Sequence, residues 1–424
     1  MNSSKTRLSR QNEYSINFYG LSSPFHRKTL PDKRLQALPC PWYKKASNFP
    51  MSRFFSASGT KPAKPIAACY GITWWKRDRI RAFLAQDVSP RFFWFSRCAL
   101  FYARRKNKGL AVWANRFTPA LQAQARAMNV PLFIVEDGFI RSLGLGSGFL
   151  PPCSIILDSQ GAYVDPSHPS DLEDMLREAD IAPDTRERAN SLIATIKELH
   201  ISKYASNSAP QTEIPLPDDG RPIILVPGQV AGDLSVVRGG GAITSNLALL
   251  MEVRRLNPNA WIIYRPHPDV EAGHRAGHLS DETILSYANA IHRGGSISQL
   301  LEQIDEVHTL TSLMGFEALI RNKNVTTYGA PFYAGWGLTT HLGPDLPRRG
   351  RKRDIVELAA ITLILYPLYI NPETEQHCEV EDLIDCFGNA DFWRPTYIMK
   401  LRQKQGKIRH YFTRLIASHR TPHA

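Results

Sequence analysis

The sequence predicts an α/β fold with two Rossmann-like domains facing a cleft. Three observations carry this. Short apolar runs alternate with helix-like segments from Ile66 onward. A second series of the same kind begins at Pro222, after the polar stretch ASNSAPQTEIPLPDDG over 205–220. Glycine-rich turns follow the apolar runs, and open α/β sheets bind their ligands beyond the carboxyl ends of strands. The implied division is a basic, disordered extension over 1–64, a first domain over 65–204, a linker over 205–220, a second domain over 221–375 and a basic helical segment over 376–424.

The first domain opens with a strand at Ile66–Tyr70 and a basic helical run at Trp75–Ala85. Strands follow at Phe92–Phe95 and Gly109–Trp113. Pro119–Met128 reads as a helix, with Thr118 as N-cap and Pro119 at the first helical position. Leu132–Val135 is the next strand, and this β-α-β-α-β order predicts a parallel sheet covered on both faces. Beyond it lies VEDGFIRSLGLGSGF. Glu136 and Asp137 sit just past the strand end, ahead of Arg141 and of Gly138, Gly144, Gly146 and Gly148. A carboxylate pair there suits a general base for an acceptor hydroxyl; the alternative is a charged loop whose acids cap a helix. Ile155–Asp158 reads as a strand, and Ser170 caps a helix whose first turn is acidic. A long helix is expected over Arg186–Tyr204.

In the second domain Pro222–Val226 is a strand, and Gln229 and Asp233 are separated by three residues in the loop beyond it. A helix is expected over Thr244–Leu256. The strand Trp261–Tyr264 exits into Arg265-Pro266-His267-Pro268, where the prolines stiffen the chain and fix the direction of His267. An arginine and a held histidine at a strand end suit a phosphate or carboxylate; a packing histidine is the alternative. Val307–Leu310 is a buried strand, and Thr311, Ser312 and Gly315 turn the chain into a helix bearing Glu317. Strand, small-residue turn and helix aim backbone N–H groups at an anion. The strand Val325–Tyr328 ends in GAPFYAGWG, a glycine- and aromatic-rich loop placed where ligands bind. Arg348–Arg353 is a dense basic run, read either as a counter-charge for an acidic substrate or as a solvated loop. Asp354–Leu365 reads as a helix and Tyr366–Thr374 as a proline-broken connector.

Composition narrows the function classes. Hydrophobic residues make up 43% and charged residues 21%, which fits a globular chain long enough for two or three domains. The net charge of +13 is uneven: +10 lies in residues 1–66 and +8 in 394–424, leaving −5 for the body. A net acidic body argues against a nucleic-acid groove, and the basic ends point to an anionic surface such as a membrane. The 394–416 stretch reads as an interfacial helix. The six cysteines form no C-x-x-C pair, so neither zinc nor a disulfide framework is expected and a reducing compartment fits. No apolar run is long enough to span a bilayer, and no secretory h-region is expected at the N-terminus.

Three groups of residues together carry a resemblance. EDGFIRSLGLGSG with SIILDSQGAYVDPSHPSDLE, QVAGD with RPHPDV, and TSLMGFEAL followed by YGAPFYAGWGLT resemble the capsule polysaccharide biosynthesis family of β-Kdo transferases, from about Ile66 to Pro372. The resemblance implies a cytoplasmic, GT-B-like glycosyltransferase, peripheral on the inner membrane. It implies CMP-Kdo as donor, retention of configuration and no metal or cofactor. It implies as acceptor a phosphatidylglycerol-type lipid, on which a short β-Kdo linker is built, and other capsule biosynthesis and export proteins as partners. The first domain becomes the acceptor domain and the second the CMP-sugar domain.

By position, Gln229 and Asp233 match the family's Gln-x-x-x-Asp pattern, with Asp233 as the catalytic carboxylate and nucleophile. His267 and Pro268 match its His-Pro pattern, also similar to that of bacterial sialyltransferases, and His267 binds the donor phosphate. Thr311, Ser312 and Gly315 hold phosphate, and Glu317 the ribose or base. Glu136 and Asp137 face this site, and Arg265 or Arg141 meets the Kdo carboxylate. The family's enzyme usually has two such modules and this sequence has room for one. Thr340-His341 stands where an acidic residue is expected, and residues 1–66 have no counterpart. The rival readings are a nucleotide-sugar epimerase and a non-catalytic export scaffold.

Overall fold

The computed structural model describes residues 65–84, 89–142, 150–203 and 216–388. The extension over 1–64, Gly144, Gly146 and Gly148, most of the 205–220 stretch and the 394–416 helix lie outside them. The first run of elements is β1 (Ile66–Tyr70), α1 (Arg77–Leu84), β2 (Arg91–Phe93), α2 (Ser96–Arg105), β3 (Gly109–Trp113), α3 (Pro119–Ala127), β4 (Leu132–Asp137), β5 (Ser154–Asp158), α4 (Asp171–Glu178) and α5 (Pro183–Glu198). The second is β6 (Ile223–Pro227), α6 (Leu234–Gly239), α7 (Asn246–Leu256), β7 (Trp261–Arg265), α8 (Pro268–Glu271), α9 (Asp281–Leu285), β8 (Ala290–Ile291), α10 (Ile297–Gln303), β9 (Glu306–Thr309), α11 (Leu313–Ile320), β10 (Asn324–Thr327) and β11 (Thr340–His341). The chain then makes α12 (Ile355–Ala359), a π-helical turn, β12 (Leu368–Ile370), β13 (His377–Cys378) and α13 (Val380–Asp385).

Local signals start these helices. The Thr118 hydroxyl accepts the Leu121 N–H at 3.2 Å, with Pro119 at N1, and the Ser170 hydroxyl accepts the Glu173 N–H at 3.1 Å. Each such cap satisfies one orphan donor and contributes about 1 kcal/mol. Asp354 and Glu357 close a reciprocal capping box on α12.

The second sheet is wholly parallel, in the order β11-β10-β9-β6-β7-β8. That is the Rossmann order, and its switch point falls between β6 and β9. The loops carrying Gln229 and Thr311 leave the sheet there. The first sheet runs β13-β12-β5-β4-β3-β1-β2. Its β1 to β4 are parallel as expected, but β5 is antiparallel to β4, and β12 and β13 continue antiparallel beyond it. The sheet is therefore mixed. Residues 138–153 separate β4 from β5, and the chain comes back along β4 in the opposite direction, which an antiparallel pair allows without a crossover helix.

Two expectations are corrected by the same crossing. The Tyr366–Thr374 connector contains a strand, and the chain from Leu368 joins the first sheet, so the boundary drawn at 375 cuts through that sheet's edge strands. Burial drives the return. Tyr366 is buried with its hydroxyl donating to Asp158 Oδ2 at 2.7 Å, and the Tyr369 hydroxyl donates to Leu363 O at 2.6 Å.

In the basic run Arg348–Arg353, Lys352 is exposed, but the four arginines are engaged by the protein itself. Arg348 Nε and Arg349 Nε each donate to a different oxygen of buried Glu173 at 2.9 Å. Arg353 Nε donates to Leu176 O at 2.7 Å, and its Nη2 to Ala179 O at 2.7 Å, satisfying carbonyls at the end of α4. The run thus fastens the loop after β11 to α4 of the first sheet. Arg349→Met strands part of a buried carboxylate and the carbonyls of Pro331 and Ala334, so it is expected to cost about 3 kcal/mol in urea-induced unfolding.

The GAPFYAGWG loop belongs to the core instead of lining a ligand site. Tyr333 and Trp336 are fully buried, and Phe332 packs 4.8 Å from Phe139 of the first sheet and 5.4 Å from Phe316 of α11. Gly335 and Gly337 both have φ of +85°, a left-handed conformation that lets the loop curl and bury Trp336. Burying such rings contributes about 1.5–3 kcal/mol each. His341 is structural too: its Nδ1 meets Thr327 Oγ1 at 2.9 Å.

Candidate active site

At the switch point Gln229 is the joint between two loops. Its Nε2 donates to Thr311 Oγ1 at 2.9 Å, and its Oε1 accepts the Thr311 N–H at 3.0 Å. Its backbone N–H and C=O are both bonded to the Asn246 side-chain amide at 2.8 Å. Gln229 and Thr311 are thus committed to each other, and their part is to fix the floor of the site.

Above that floor, Asp233 is exposed and is the N-cap of α6, where its Oδ1 accepts the Leu234 N–H at 2.9 Å. That leaves Oδ2 without a hydrogen-bond partner among the described residues. His267 caps α8, with Pro268 at N1, and its Nδ1 accepts the Asp269 N–H at 3.1 Å. The bond fixes the tautomer: the proton of the neutral ring must sit on Nε2, which is then a donor. Burial holds the His267 pKa below its usual value, against the pull of Asp269 and Asp233. The ring is therefore neutral at pH 7, and Asp233 lies within its electrostatic reach.

Arg265 is buried at the end of β7. It donates to His292 Nδ1, and to Gly295 O at 3.2 Å. Burial, opposed by Glu317, lowers Arg265 to about 10, so it stays charged; burial and that charge push His292 down to about 4. Ser312 caps α11, its hydroxyl accepting the Met314 N–H at 3.2 Å, and its backbone N–H donates to Thr309 Oγ1 at 3.2 Å. Gly315 is required by packing: a Cβ there would run into the Tyr333 hydroxyl, which donates to Ser312 O. Glu317 is buried, and its Oε1 accepts the Lys203 N–H at 2.9 Å. Burial raises its pKa, partly offset by that N–H.

The two carboxylates of the first sheet have opposite fates. They are the last residues of β4, not the loop beyond it. Asp137 is held by Lys76 Nζ at 3.1 Å to both oxygens and by Arg141 Nε at 2.9 Å. Burial alone would raise its pKa, but Arg141 and Lys76 outweigh it and keep the carboxyl well below the usual range. Glu136 is half-buried, and burial together with the Asp137 charge, opposed by Lys76, pushes it up to about 7. Of the pair, only Glu136 is poised to exchange a proton near neutrality. Arg141 is not available for a sugar carboxylate. It is fully buried, donating from Nη1 to Ser142 Oγ and from Nη2 to Leu150 O, both at 2.8 Å.

Sequence reasoning passed over Lys203. It follows α5, in a segment with no periodicity, and only the folded chain shows its setting. Glu136, Asp137, His267 and Glu317 all feel its charge. The carboxylates of β4 and the histidine beyond β7 thus share one cation, and the sites of the two sheets adjoin. Among the described residues no group of three or more His, Cys, Asp or Glu is placed to hold a metal ion, and no helix is long and apolar enough to cross a membrane.

A Rossmann sheet with Gln229 and Thr311 at its switch point and His267 beyond the neighbouring strand, together with a mixed sheet that ends in Glu136 and Asp137, makes this an α/β protein with its polar residues gathered where open sheets bind ligands. Comparison with known proteins gives the particular kind. The family model described as capsule polysaccharide biosynthesis protein matches residues 110–216 and 196–371. The lipopolysaccharide-processing protein LpsZ of Rhizobium meliloti is 36% identical over 328 residues, 76% of this chain and 74% of that protein. The chain belongs to the capsule polysaccharide biosynthesis protein family. The capsule polysaccharide modification protein LipA of Neisseria meningitidis serogroup B is 42% identical over 323 residues, which is 74% of this chain but 44% of LipA, so the match spans less than half of that relative. Among solved structures, the β-Kdo 2,7 transferase of Thermosulfurimonas dismutans KpsC is 34% identical with a TM-score of 0.62, covering 77% of this chain and 99% of that one. The β-Kdo 2,4 transferase of the same KpsC is 29% identical with a TM-score of 0.65, covering 76% and 97%.

Proposed function

We propose that this chain is a retaining glycosyltransferase that moves Kdo from CMP-Kdo to a lipid-linked acceptor, forming a β-Kdo linkage in the synthesis of capsule or a related surface polysaccharide. The observation that carries the reading is the likeness to a solved β-Kdo transferase chain along 99% of that chain's length at 34% identity. The arrangement of Asp233, His267, Lys203 and Glu136 supports it, because each group has a task in such a reaction.

The donor phosphate meets the Nε2–H of His267 and the positive end of α11 at Ser312. Asp233 attacks the anomeric carbon. The bond from that carbon to the phosphate oxygen breaks, CMP leaves with the electron pair, and a glycosyl ester forms on Asp233. The acceptor hydroxyl then attacks the same carbon, its proton passes to Glu136, and the Asp233 carboxylate is released with net retention. Glu317 with Arg265 borders the nucleoside. The sugar's own carboxylate needs a cation, and Lys203, whose charge reaches Glu136, Asp137 and His267, takes that part. No resident metal or cofactor enters this scheme. The acceptor is a phosphatidylglycerol-type lipid bearing Kdo, and the basic ends of the chain meet the anionic face of the inner membrane on its cytoplasmic side. Other capsule biosynthesis and export proteins, including one with a second transferase module, are the expected partners.

Lys203→Met is expected to raise the KM for CMP-Kdo by roughly 10- to 100-fold, the value of a charge-assisted hydrogen bond, with a smaller change in kcat and partial rescue by Lys203→Arg. The whole reading is tested by incubating the protein with CMP-Kdo and a synthetic Kdo-bearing glycolipid. A product one Kdo heavier, with a β-anomeric NMR signature, supports it; an α-anomer or an unmodified glycolipid refutes it.

A further inference from the structure

Every exposed tryptophan or phenylalanine among the described residues falls in one stretch of the first sheet. Trp74 is 60% exposed, Trp94 75%, Phe95 72% and Phe101 64%. The same stretch, residues 74–108, carries a net charge of +8, so the rest of the body carries −13. The two features share one surface. Strand β2 is the outermost of its sheet, and Trp94 and Phe95 lead from its end into α2. The outward face of α2 then presents Arg97, Phe101 and Arg104 at helical spacing, all exposed. Arg77 of α1 lies 4.8 Å from the Trp94 ring centre. Leaving four large apolar rings in water is unfavourable, and rings interleaved with arginines suit the headgroup level of a bilayer.

We infer that this surface docks the protein on an anionic lipid bilayer, with the rings entering the headgroup layer and the arginines pairing with lipid phosphates. A nucleic acid would need free ring faces for base stacking, and arginine guanidiniums lie near those of Trp94 and Phe92, at 4.8 and 5.5 Å. The placement also serves the neighbouring carboxylates. Trp74 begins the Trp74–Lys76 turn, whose Lys76 holds Asp137, so docking here brings the Glu136 end of the sheet toward the membrane. The inference does not depend on the transfer reaction, and vesicle binding can succeed or fail whatever the donor.

The test is co-sedimentation of the full chain with phosphatidylcholine vesicles, with and without about 30 mol % phosphatidylglycerol, at about 0.1 M and about 0.5 M salt. High salt weakens the contribution of the charged ends and leaves that of inserted rings. Wild type is expected to bind the anionic vesicles at both salts. The double variant Trp94→Ser/Phe95→Ser should bind at least roughly tenfold more weakly at the higher salt, and Arg97→Gln/Arg104→Gln several-fold more weakly at the lower. Thermal midpoints close to wild type establish that both variants fold. Brominated lipids should quench tryptophan emission of the wild type, and less so that of Trp74→Phe/Trp94→Phe. Three results overturn the proposal: variants that bind like wild type, wild-type binding that vanishes at the higher salt, or patch-dependent binding to an RNA oligomer without binding to vesicles.

Discussion

Asp233→Ala is expected to lower the rate of Kdo transfer by on the order of 10⁴-fold or more, because in the proposed mechanism it removes the atom that forms the covalent intermediate. The carboxylate is exposed and makes one hydrogen bond to its own helix, so the loss of that cap costs only about 1 kcal/mol and the protein remains folded. Donor affinity, measured by calorimetry, should change less than tenfold, since His267, Lys203 and the α11 end remain. An unchanged transfer rate in the variant would remove Asp233 from the chemistry and shift attention to a direct displacement.

Glu136→Gln is expected to lower kcat by roughly 10²- to 10⁴-fold, the usual contribution of a positioned base. Its pH dependence follows from the pKa of about 7. The base must be ionised to accept a proton, so the wild-type rate should rise as pH passes through 7 and then level off, and the variant should lose that limb. Stability should change in the opposite sense. The folded state favours the protonated carboxyl, so the stability Glu136 contributes is fully present below its unfolded pKa and is lost as pH rises through about 7. The variant should therefore unfold at a higher temperature than wild type at pH 8, with little difference near pH 4. Asp137 runs the other way: its stabilisation is present above its unfolded pKa and is lost only as pH falls through its depressed folded value.

Much of the scaffold is written in local signals. Thr118 and Ser170 announce their helices because a hydroxyl before a helical run can cap it, and the apolar strands of both sheets read directly from hydrophobic runs. Direction does not. Ile155–Asp158 looks the same whether it runs with β4 or against it, and only the folded sheet, in which β12 arrives later as its other neighbour, decides. Rings beyond a strand end, as in Phe332–Trp336, are as apt to fill a core as to meet a ligand, and Phe139 and Phe316, which Phe332 packs against, are brought to it only by the fold. The sequence places Arg141 beside the carboxylates, and it is there, but the side chain turns inward to Asp137, Ser142 and Leu150. Glu136 and Asp137 look equivalent in sequence; Lys76, 60 residues upstream of Glu136, separates them by choosing Asp137. Lys203 and the Trp94–Phe101 surface carry no motif, because each is defined by neighbours that meet only in the folded chain.

In the proposed reading this site moves Kdo from CMP-Kdo to an acceptor. The most direct measurement is CMP release from freshly generated CMP-Kdo, with and without a Kdo-bearing lipid acceptor, for wild type and Asp233→Ala side by side. Release by the wild type that depends on the acceptor and is absent in the variant is the predicted result. Equal release with and without acceptor, or none from wild-type protein shown to be folded, would contradict it.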